Sequence, residues 1–344
     1  PFHKAPFLKE DPIIEEGVVN CKIREVDGEV RIWRLSKILA TALYGGALIN
    51  GKNEAYTRFL SFPLGKPLHP VFSFPYIGRK HGVLNKAIYL ITPEANGNYY
   101  HWMIDLLPRL LLIKKYSLPD FLDSALILHF PQRSYETDTL DLLNISAKNV
   151  VRIKPFEMVE AKDLVVSDYY SNETNFPNWK KILLNEFKEL AIAPFIPGKD
   201  YNKVYLYRGK QKVRRLIDEE RLVGLLRERG FQVVDPQKLS LAEQIVILKQ
   251  ARIVVAIHGA ALTNIIYCRE GSCVIELRST NKSPEHYSSI AKAYNLNFET
   301  ILLPPARLKE KRHLANKENL ILTERSIEIL LSKISASEKS FDNQ

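Results

Sequence analysis

Cysteine is scarce in this sequence, and long apolar runs are missing. Its 344 residues include three cysteines, Cys21, Cys268 and Cys273, which supply neither a disulfide framework nor a metal-ligand spacing. A reducing compartment is therefore the simpler assumption. No stretch reaches the roughly 20 apolar residues of a membrane-spanning helix. With 46% hydrophobic and 26% charged residues, the composition is that of a soluble globular protein.

Several well-known catalytic and nucleotide-binding motifs are also missing. There is no Gly-x-x-x-x-Gly-Lys-Ser/Thr loop, no Gly-x-Gly-x-x-Gly turn, no His-Glu-x-x-His and no Gly-x-Ser-x-Gly elbow. The sequence contains no Asp-x-Asp either. Positive charge is in excess: 49 Lys and Arg against 39 Asp and Glu give a net charge of +10. This balance favours an anionic partner, whether a phosphate ligand, a nucleic acid or a membrane surface.

The length predicts two domains, each large enough to bury its own core. Residues 193–198 read Ala-Pro-Phe-Ile-Pro-Gly, which is typical of a linker. We therefore predict an N-terminal domain over residues 1–195 and a second domain over 196–310. Over residues 311–344 we predict a helix from Thr323 to about Ile334 that packs back over the interdomain seam, followed by a disordered tail. Prolines interrupt residues 1 to about 80, so short, irregular elements are predicted there, and Val30 to Leu35 is the best strand candidate among them.

Apolar strands and amphipathic helices alternate in the second half, as in an α/β fold with a parallel sheet. Its central feature is an apolar run to Ile257, the small-residue turn His258-Gly259-Ala260, and a second apolar run that contains Glu276. Backbone N–H groups at that turn can face an anion such as a pyrophosphate. Glu276 is expected to end the second strand on the same edge, where its carboxylate can accept bonds from two ribose hydroxyls. Alternatively, the small residues only allow close packing and Glu276 is solvated.

Arg208, Arg214 and Arg215 lie in a basic turn that follows a predicted strand. Because arginine forks match phosphate oxygens, such a turn at the carboxyl end of a strand suits a diphosphate. A solvated face or a nucleic-acid patch is the alternative. Arg208 and His258 both follow strands of one predicted sheet, so we expect them to converge on one ligand.

His101 and Asp105 stand four residues apart on a helix predicted to begin at Asn96 or Asn98, so they share a face. They can act as a general base and its orienting partner, or as a base and a residue that positions the acceptor, and either of them can be the base. A local structural contact is the alternative. Glu94, on the turn before this helix, is a further base candidate.

Three blocks of sequence, in this order, resemble glycosyltransferase family 61. They are Asn98 to Arg109, Arg208 to Glu219, and His258-Gly259-Ala260-Ala261-Leu262-Thr263-Asn264 through Glu276. The family includes bacterial capsular-polysaccharide enzymes, plant xylan arabinosyl- and xylosyltransferases and animal protein O-linked GlcNAc transferases. The resemblance implies an α/β fold of GT-B type, with two Rossmann-like domains facing across a cleft. It also implies an inverting mechanism without a metal.

The resemblance assigns the nucleotide-sugar donor to the C-terminal domain and the acceptor to the N-terminal domain. The expected donor-binding residues are Arg208, Arg214, Arg215, Glu243, His258, Gly259, Ala260, Asn264 and Glu276, and the expected catalytic residues are Asp105 and His101. Glu243 also follows Ser240 with the spacing of a capping box, which by itself accounts for it. The sequence departs from the family where Tyr207-Arg208-Gly209 replaces Ser-Arg-Arg and Asp218-Glu219 replaces Asn-Glu, but the three arginines carry over.

The sequence therefore predicts transfer of a sugar from a nucleoside diphosphate, expected to be UDP, to a hydroxyl of a glycan or glycolipid. No cofactor and no metal are expected, because the missing Asp-x-Asp leaves the arginines and a helix N-terminus to neutralise the diphosphate. We expect a cytoplasmic microbial enzyme, with peripheral membrane contact through its basic surface, or a Golgi or ER lumenal one if the source is eukaryotic. The rival hypothesis is a non-catalytic nucleic-acid or polyanion-binding protein. Aromatic residues are not interleaved with the arginines, which counts against a single-strand platform and against a nucleic-acid partner.

Overall fold

A computed structural model describes residues 2–4, 7–9, 18–25, 28–56, 59–60, 70–72, 76–117, 121–168, 176–192, 200–209, 211, 213–280, 286–306 and 318–342. The chain divides into two compact units, Pro1–Ser171 and Asn172–Gln344. None of the described helices is long and apolar enough to cross a membrane.

Ten of the described strands in the first unit form one mixed sheet. They are β1 (Phe2–Lys4), β2 (Phe7–Lys9), β3 (Val18–Glu25), β4 (Gly28–Thr41), β5 (Ala47–Ile49), β6 (Glu54–Tyr56), β7 (Tyr76–Tyr89), β8 (Ala125–His129), β9 (Val150–Ile153) and β10 (Glu157–Ser167). The order is β2-β6-β5-β4-β10-β7-β8-β9, with β1 beside β7 and β3 beside β4. Strands β10, β7, β8 and β9 run parallel to one another, and β4 is antiparallel to β10.

The helices of this unit connect the parallel strands. They are α1 (Tyr99–His101), a π-helical turn (Trp102–Leu106), α2 (Leu107–Tyr116) and α3 (Ser134–Leu142), and short 3₁₀ turns cover Leu43–Gly45, Pro70–Phe72 and Ala147–Asn149. The Asn98 side chain accepts a hydrogen bond from the N–H of Tyr100 (3.1 Å), so Asn98 is the N-cap, one of the two caps predicted. Every residue from Trp102 to Ile113 is buried. This segment is therefore part of the core and holds His101 and Asp105 in place.

The second unit is an open parallel sheet with helical connections. Its strands are β11 (Lys203–Leu206), β12 (Leu216–Ile217), β13 (Gln232–Val234), β14 (Ile253–Ile257), β15 (Cys273–Ser279), β16 (Asn297–Leu303) and β17 (Leu320–Ile321). Its helices are α4 (Asn178–Lys188), α5 (Glu219–Arg227), α6 (Leu241–Gln250), α7 (His286–Ala293) and α8 (Glu324–Asp342), with 3₁₀ helices at Pro236–Lys238 and Ala260–Tyr267. The main sheet has the order β13-β11-β14-β15-β16 with every pair parallel, and β12 pairs with β17 apart from it.

This strand order determines where a ligand can bind. Counted along the main sheet's own strands it is 2-1-3-4-5, a doubly wound, Rossmann-like arrangement. The chain leaves β11 toward one edge of the sheet and returns at β14 toward the other, so the direction of winding reverses between these neighbours. In such sheets ligands bind outside the carboxyl ends of the strands, at the point of reversal. The residues that follow β11 and β14 are therefore in the position where a sheet of this kind binds its ligand.

The division between the units precedes α4, whereas the sequence places a boundary after this helix. Trp179, Leu183 and Phe187 are buried, and α4 packs on the 3₁₀ helix Ala260–Tyr267 of the second unit. Burial of this apolar face is what assigns the helix to the second unit. The predicted linker over residues 193–198 lies outside the described residues.

Some predicted elements are confirmed and others need correction. Helix α6 begins with the predicted capping box at Ser240 and Glu243. The prediction of short elements before residue 80 is confirmed for β1, β2, β5 and β6, which have three residues each, and the predicted strand Val30 to Leu35 lies within β4. It is wrong for β4 and β7, which are each 14 residues long and pair with distant strands. Glu276 does not end β15: the strand continues to Ser279, paired with β16 throughout.

The C-terminal helix is longer than predicted. It continues to Asp342, so most of the tail expected to be disordered is helical. The extension packs on its own unit: Ile334 is fully buried, Phe341 lies against the core of the parallel sheet, and Ser337 Oγ donates to Cys273 Sγ (3.1 Å).

Candidate functional site

Two of the predicted donor-binding residues, Arg208 and His258, lie at the carboxyl ends of β11 and β14. Arg208 follows β11 by two residues, and His258 follows β14 directly. The N–H of His258 donates to the carbonyl oxygen of Leu277 (2.8 Å), which continues the ladder between β14 and β15 past the end of the strand. Both residues therefore lie at the point where the sheet reverses its winding.

Arg208 is held by backbone carbonyls. Its Nη1 donates to the oxygen of His258 (3.3 Å) and its Nη2 to the oxygen of Val213 (3.1 Å). Its own N–H donates to Glu219 Oε1 (3.1 Å), an oxygen that also accepts from the hydroxyl of Tyr205 (2.8 Å). The Nε of Arg208 is buried and finds no acceptor among the described residues. One N–H of the guanidinium is therefore unsatisfied by the described part of the chain.

Arg214 supplies a second guanidinium whose Nε is buried and lacks a hydrogen-bond acceptor among the described residues. The residue adopts left-handed backbone geometry (φ +56°). No described carboxylate comes within 4 Å of either guanidinium. Burial, and then the charge of Arg214, lowers the pKa of Arg208 to about 10, and burial also lowers that of Arg214. Both groups remain charged at neutral pH, so this edge of the sheet favours an anionic ligand.

The third predicted arginine is placed differently. Arg215 is exposed, and its backbone accepts from the N–H of Leu320 and donates to Asn319 Oδ1 (3.1 Å). These bonds attach the basic turn to β17. Its side chain faces solvent, so a phosphate contact by Arg215 stays a prediction.

His258 and Glu276 form a buried pair. His258 Nδ1 and Glu276 Oε1 are 2.6 Å apart, and the residues are 5% and 2% exposed. The ring of Tyr287, from α7, meets the His258 ring edge-on at 5.2 Å. Burial raises the pKa of the Tyr287 hydroxyl above its ordinary value. The charge of Glu276 acts in the same direction, whereas the charges of Arg214 and Arg208 lower this pKa by less than burial raises it. Tyr287 therefore belongs to the site, although the sequence offers no pattern that selects it among the aromatic residues of its helix.

The remaining predicted donor residues have structural contacts. Gly259 lies against the Arg208 guanidinium, and Ala260 begins the 3₁₀ helix. Asn264 is fully buried, and its amide donates to Gln244 Oε1 (2.7 Å). Glu243 Oε2 accepts from the N–H of Ser240 (2.8 Å), as a capping box requires. Donor contacts by Asn264 and Glu243 stay predictions.

His101 and Asp105 form the second cluster, in the first unit. His101 Nδ1 is 2.7 Å from Asp105 Oδ2, and His101 Nε2 is 2.7 Å from Glu94 Oε2. The Asp105 side chain is 4% exposed, that of His101 18% and that of Glu94 70%. A chain of three titratable groups thus leads from the core to solvent. Glu94, in left-handed backbone geometry (φ +57°), is its outer end.

The two carboxylates change the acidity of the imidazole. Burial by itself lowers the pKa of His101, but the hydrogen bond and charge of Asp105, with those of Glu94, raise it above its ordinary value of 6.5. Arg109 ties this helix to the ends of β7 and β10: its Nη1 donates to Thr92 Oγ1 (2.9 Å) and its Nε to Ser167 Oγ (3.1 Å). The cluster therefore has a fixed geometry and a proton acceptor suited to neutral pH.

No three His, Cys, Asp or Glu side chains converge on a metal-sized space in the described part of the molecule. In the His101 cluster the two carboxylates contact different ring nitrogens, so the three groups do not point to one centre. The prediction that catalysis is metal-independent is left to experiment.

Comparison with known proteins agrees with these observations. A family model described as Glycosyltransferase 61 matches residues 99–275, just over half of the chain. This range includes His101, Arg208 and His258 and ends within β15. The EGF domain-specific O-linked N-acetylglucosamine transferase of Drosophila melanogaster is 22% identical over 133 residues, which is 38% of this chain and 25% of that protein. The match thus spans about a quarter of this relative's length. The chain belongs to glycosyltransferase family 61.

Proposed function

We propose that this protein is an inverting, metal-independent glycosyltransferase. It moves a sugar from a nucleoside-diphosphate sugar, preferably a UDP-sugar, to a hydroxyl of a glycan or glycoconjugate. Family membership supports the reaction class. The name of the Drosophila relative supports N-acetylglucosamine as a donor sugar to test first and a protein hydroxyl as an alternative acceptor. The proposal includes a GT-B arrangement, with the donor on the second unit and the acceptor on the first.

One observation carries the donor assignment. Arg208 and Arg214 bring two half-buried guanidiniums close to each other at the reversal point of a parallel sheet, and each has a buried Nε without an acceptor among the described residues. Like charges in a partly desolvated place are unfavourable unless an anion joins them. A diphosphate carries the charge and the oxygen geometry that arginine forks match.

The proposed mechanism is a single displacement. The acceptor hydroxyl loses its proton to the His101 cluster, and its oxygen bonds to the anomeric carbon from the face opposite the diphosphate. The bond between that carbon and the diphosphate oxygen breaks, and the electron pair leaves with the diphosphate. The configuration at the carbon is thereby inverted. Arg208 and Arg214 stabilise the negative charge that develops on the diphosphate in the transition state, which lowers the activation barrier.

The His101 cluster accommodates either assignment of the base. With Asp105 behind it, His101 is oriented and its pKa is raised, which suits proton uptake near neutral pH. Glu94 covers Nε2 and must turn aside or relay the proton when an acceptor binds there. The buried position of Asp105 favours an orienting role, with His101 as the base.

The test compares ligands before it measures turnover. UDP should raise the melting temperature of the protein more than AMP, GDP or inorganic phosphate at equal concentration, because binding to the folded state stabilises it by mass action. A screen of UDP-sugars for hydrolysis or transfer then identifies the donor. Equal stabilisation by every polyanion, with a steep loss in salt, would instead support the nucleic-acid or polyanion-binding alternative.

A further inference from the structure

Glu276 stands behind the His258 ring rather than open to a ligand. In the register of the sheet, Glu276 is paired with Ala256 on one side and with Thr300 on the other. His258 lies two residues beyond Ala256, so its side chain projects from the same face of the sheet as that of Glu276. The diagonal spacing lets the carboxylate reach His258 Nδ1 at 2.6 Å.

Both oxygens of the carboxylate face protein groups. Oε1 meets His258 Nδ1; Oε2 lies 3.4 Å from Thr300 Oγ1 and 4.0 Å from Arg278 Nε. With a side chain only 3% exposed, Glu276 has little surface to offer to the two hydroxyls of a ribose. A carboxylate that bound ribose would have to give up the histidine.

We infer that Glu276 is a positioning residue for His258, and that it holds the imidazole so that Nε2 contacts the donor diphosphate beside Arg208. This inference rests on the proposed function for the ligand and on the structure for the pair. A carboxylate only accepts hydrogen bonds, so the proton lies on Nδ1 and the ring orientation is set. No described residue bonds Nε2.

The other groups around the ring agree with this assignment. Tyr287 packs against the imidazole from α7, and Arg208 bonds the carbonyl oxygen of His258 rather than its ring. Of the described cations, Arg214 and Arg208 act on Tyr287, and Arg278 Nε lies 4.0 Å from Oε2, the carboxylate oxygen that does not contact His258. The ring is therefore confined by an aromatic ring and a carboxylate, and His258 follows a strand at the same edge of the sheet as the two arginines.

A double-mutant cycle on UDP affinity distinguishes positioning of His258 by Glu276 from direct binding of the ribose by Glu276. Glu276→Gln keeps the shape of the side chain and removes its charge, and we expect it to weaken UDP binding roughly tenfold. In a His258→Ala background the same substitution should change affinity less than twofold, since the residue it positions is gone. Glu299→Gln, a matched change on the exposed face of the neighbouring strand, should leave UDP affinity unchanged. A full tenfold loss in the His258→Ala background would overturn the inference.

Binding of UDP analogues that lack one ribose hydroxyl provides a second test of the role of Glu276. If Glu276 acts through His258, the substitution should weaken UDP, 2′-deoxy-UDP and 3′-deoxy-UDP by the same factor. If Glu276 binds ribose, the substitution should abolish the protein's preference for UDP over a deoxy analogue. That loss of preference would also overturn the inference.

The ligand-free protein provides a test that does not depend on the proposed function. In ¹⁵N-detected NMR, His258 should show a protonated Nδ1 with a strongly hydrogen-bonded proton, and this signal should be lost in Glu276→Gln. A neutral ring protonated on Nε2 would refute the pair. Failure of the wild-type protein to bind UDP would count against the proposed function, while the NMR result would still decide the role of Glu276.

Discussion

Gly259 and Arg208 are in such close contact that a methyl group on Gly259 would lie 1.8 Å from Arg208 Nη1. The backbone of Gly259 is extended (φ 164°), a conformation open to any residue. Glycine is therefore required for space rather than for backbone freedom. Because Gly259 has no side chain, the Arg208 guanidinium can lie directly against the backbone of the turn that follows β14.

Gly259→Ala should consequently displace the Arg208 guanidinium while the fold is kept. We expect UDP affinity to fall roughly tenfold, since a charge-assisted phosphate contact is lost or distorted. Isothermal titration checks the affinity, and thermal unfolding checks the fold. The matched control is Gly224→Ala in α5, where an added Cβ meets nothing within 4 Å. It should raise the free energy of unfolding by about 0.5–1 kcal/mol and leave UDP affinity alone.

Arg208→Ala should weaken UDP or UDP-sugar binding by about 1.5–3 kcal/mol, the value of a hydrogen bond to a charged group. The fold should persist because Arg208 contacts backbone carbonyls at the edge of the sheet. Arg227→Ala removes an exposed arginine of the same unit and controls for the change in net charge. Unchanged nucleotide affinity in Arg208→Ala would remove Arg208 from the donor site.

Addition of EDTA should leave the transfer rate essentially intact. The sequence has no Asp-x-Asp to hold a divalent ion, and the two guanidiniums can neutralise the diphosphate directly. The rate is measured in metal-free buffer and again with added manganese or magnesium. Loss of turnover in EDTA that either ion restores would show a metal requirement.

Asp105→Asn and His101→Ala should each cripple transfer while donor affinity survives. Removal of a general base lowers the rate by roughly 10²–10⁴-fold. If His101 is the base, His101→Ala should be the more damaging change; if Asp105 is the base, Asp105→Asn should be at least as damaging. The measurements are kcat and UDP affinity for each variant. Near-normal kcat in both variants would mean that the pair is structural and that the base lies elsewhere.

Glu94→Gln should move the acid limb of the pH–rate profile to lower pH. The Glu94 carboxylate helps to raise the pKa of His101, so its removal lowers that pKa and leaves the imidazole unprotonated over a wider range. In the wild type, the rate should fall as pH drops through a value above 6.5, the ordinary histidine pKa. Glu228→Gln, an exposed substitution on the second unit, should leave the profile in place. A shift toward higher pH would contradict the assignment of His101 as the base.

Much of the second unit follows from local sequence patterns. The capping box at Ser240, the helical spacing of Leu241, Ile245 and Leu248, and the apolar run to Ile257 are short-range features, and each is present in the structure. The first unit is different. Strands β4 and β7 both pair with β10, far away in the chain. In β7 the exposed residues 79–83 also lack apolar alternation, so local patterns understate these strands.

The sequence by itself determined the family, the α/β class of the second unit, the basic turn at Arg208 and the helix that carries His101 and Asp105. The family follows from the resemblance of three sequence blocks to known members. The other features follow from the sequence because caps, periodicity and charge are properties of neighbouring residues. Only the tertiary structure decided that Arg208 and Arg214 have no carboxylate partner among the described residues, that Tyr287 lies near them, and that Glu276 lies behind His258. These facts depend on strand order and register, and a change of one residue in the register would turn Glu276 to the opposite face of the sheet.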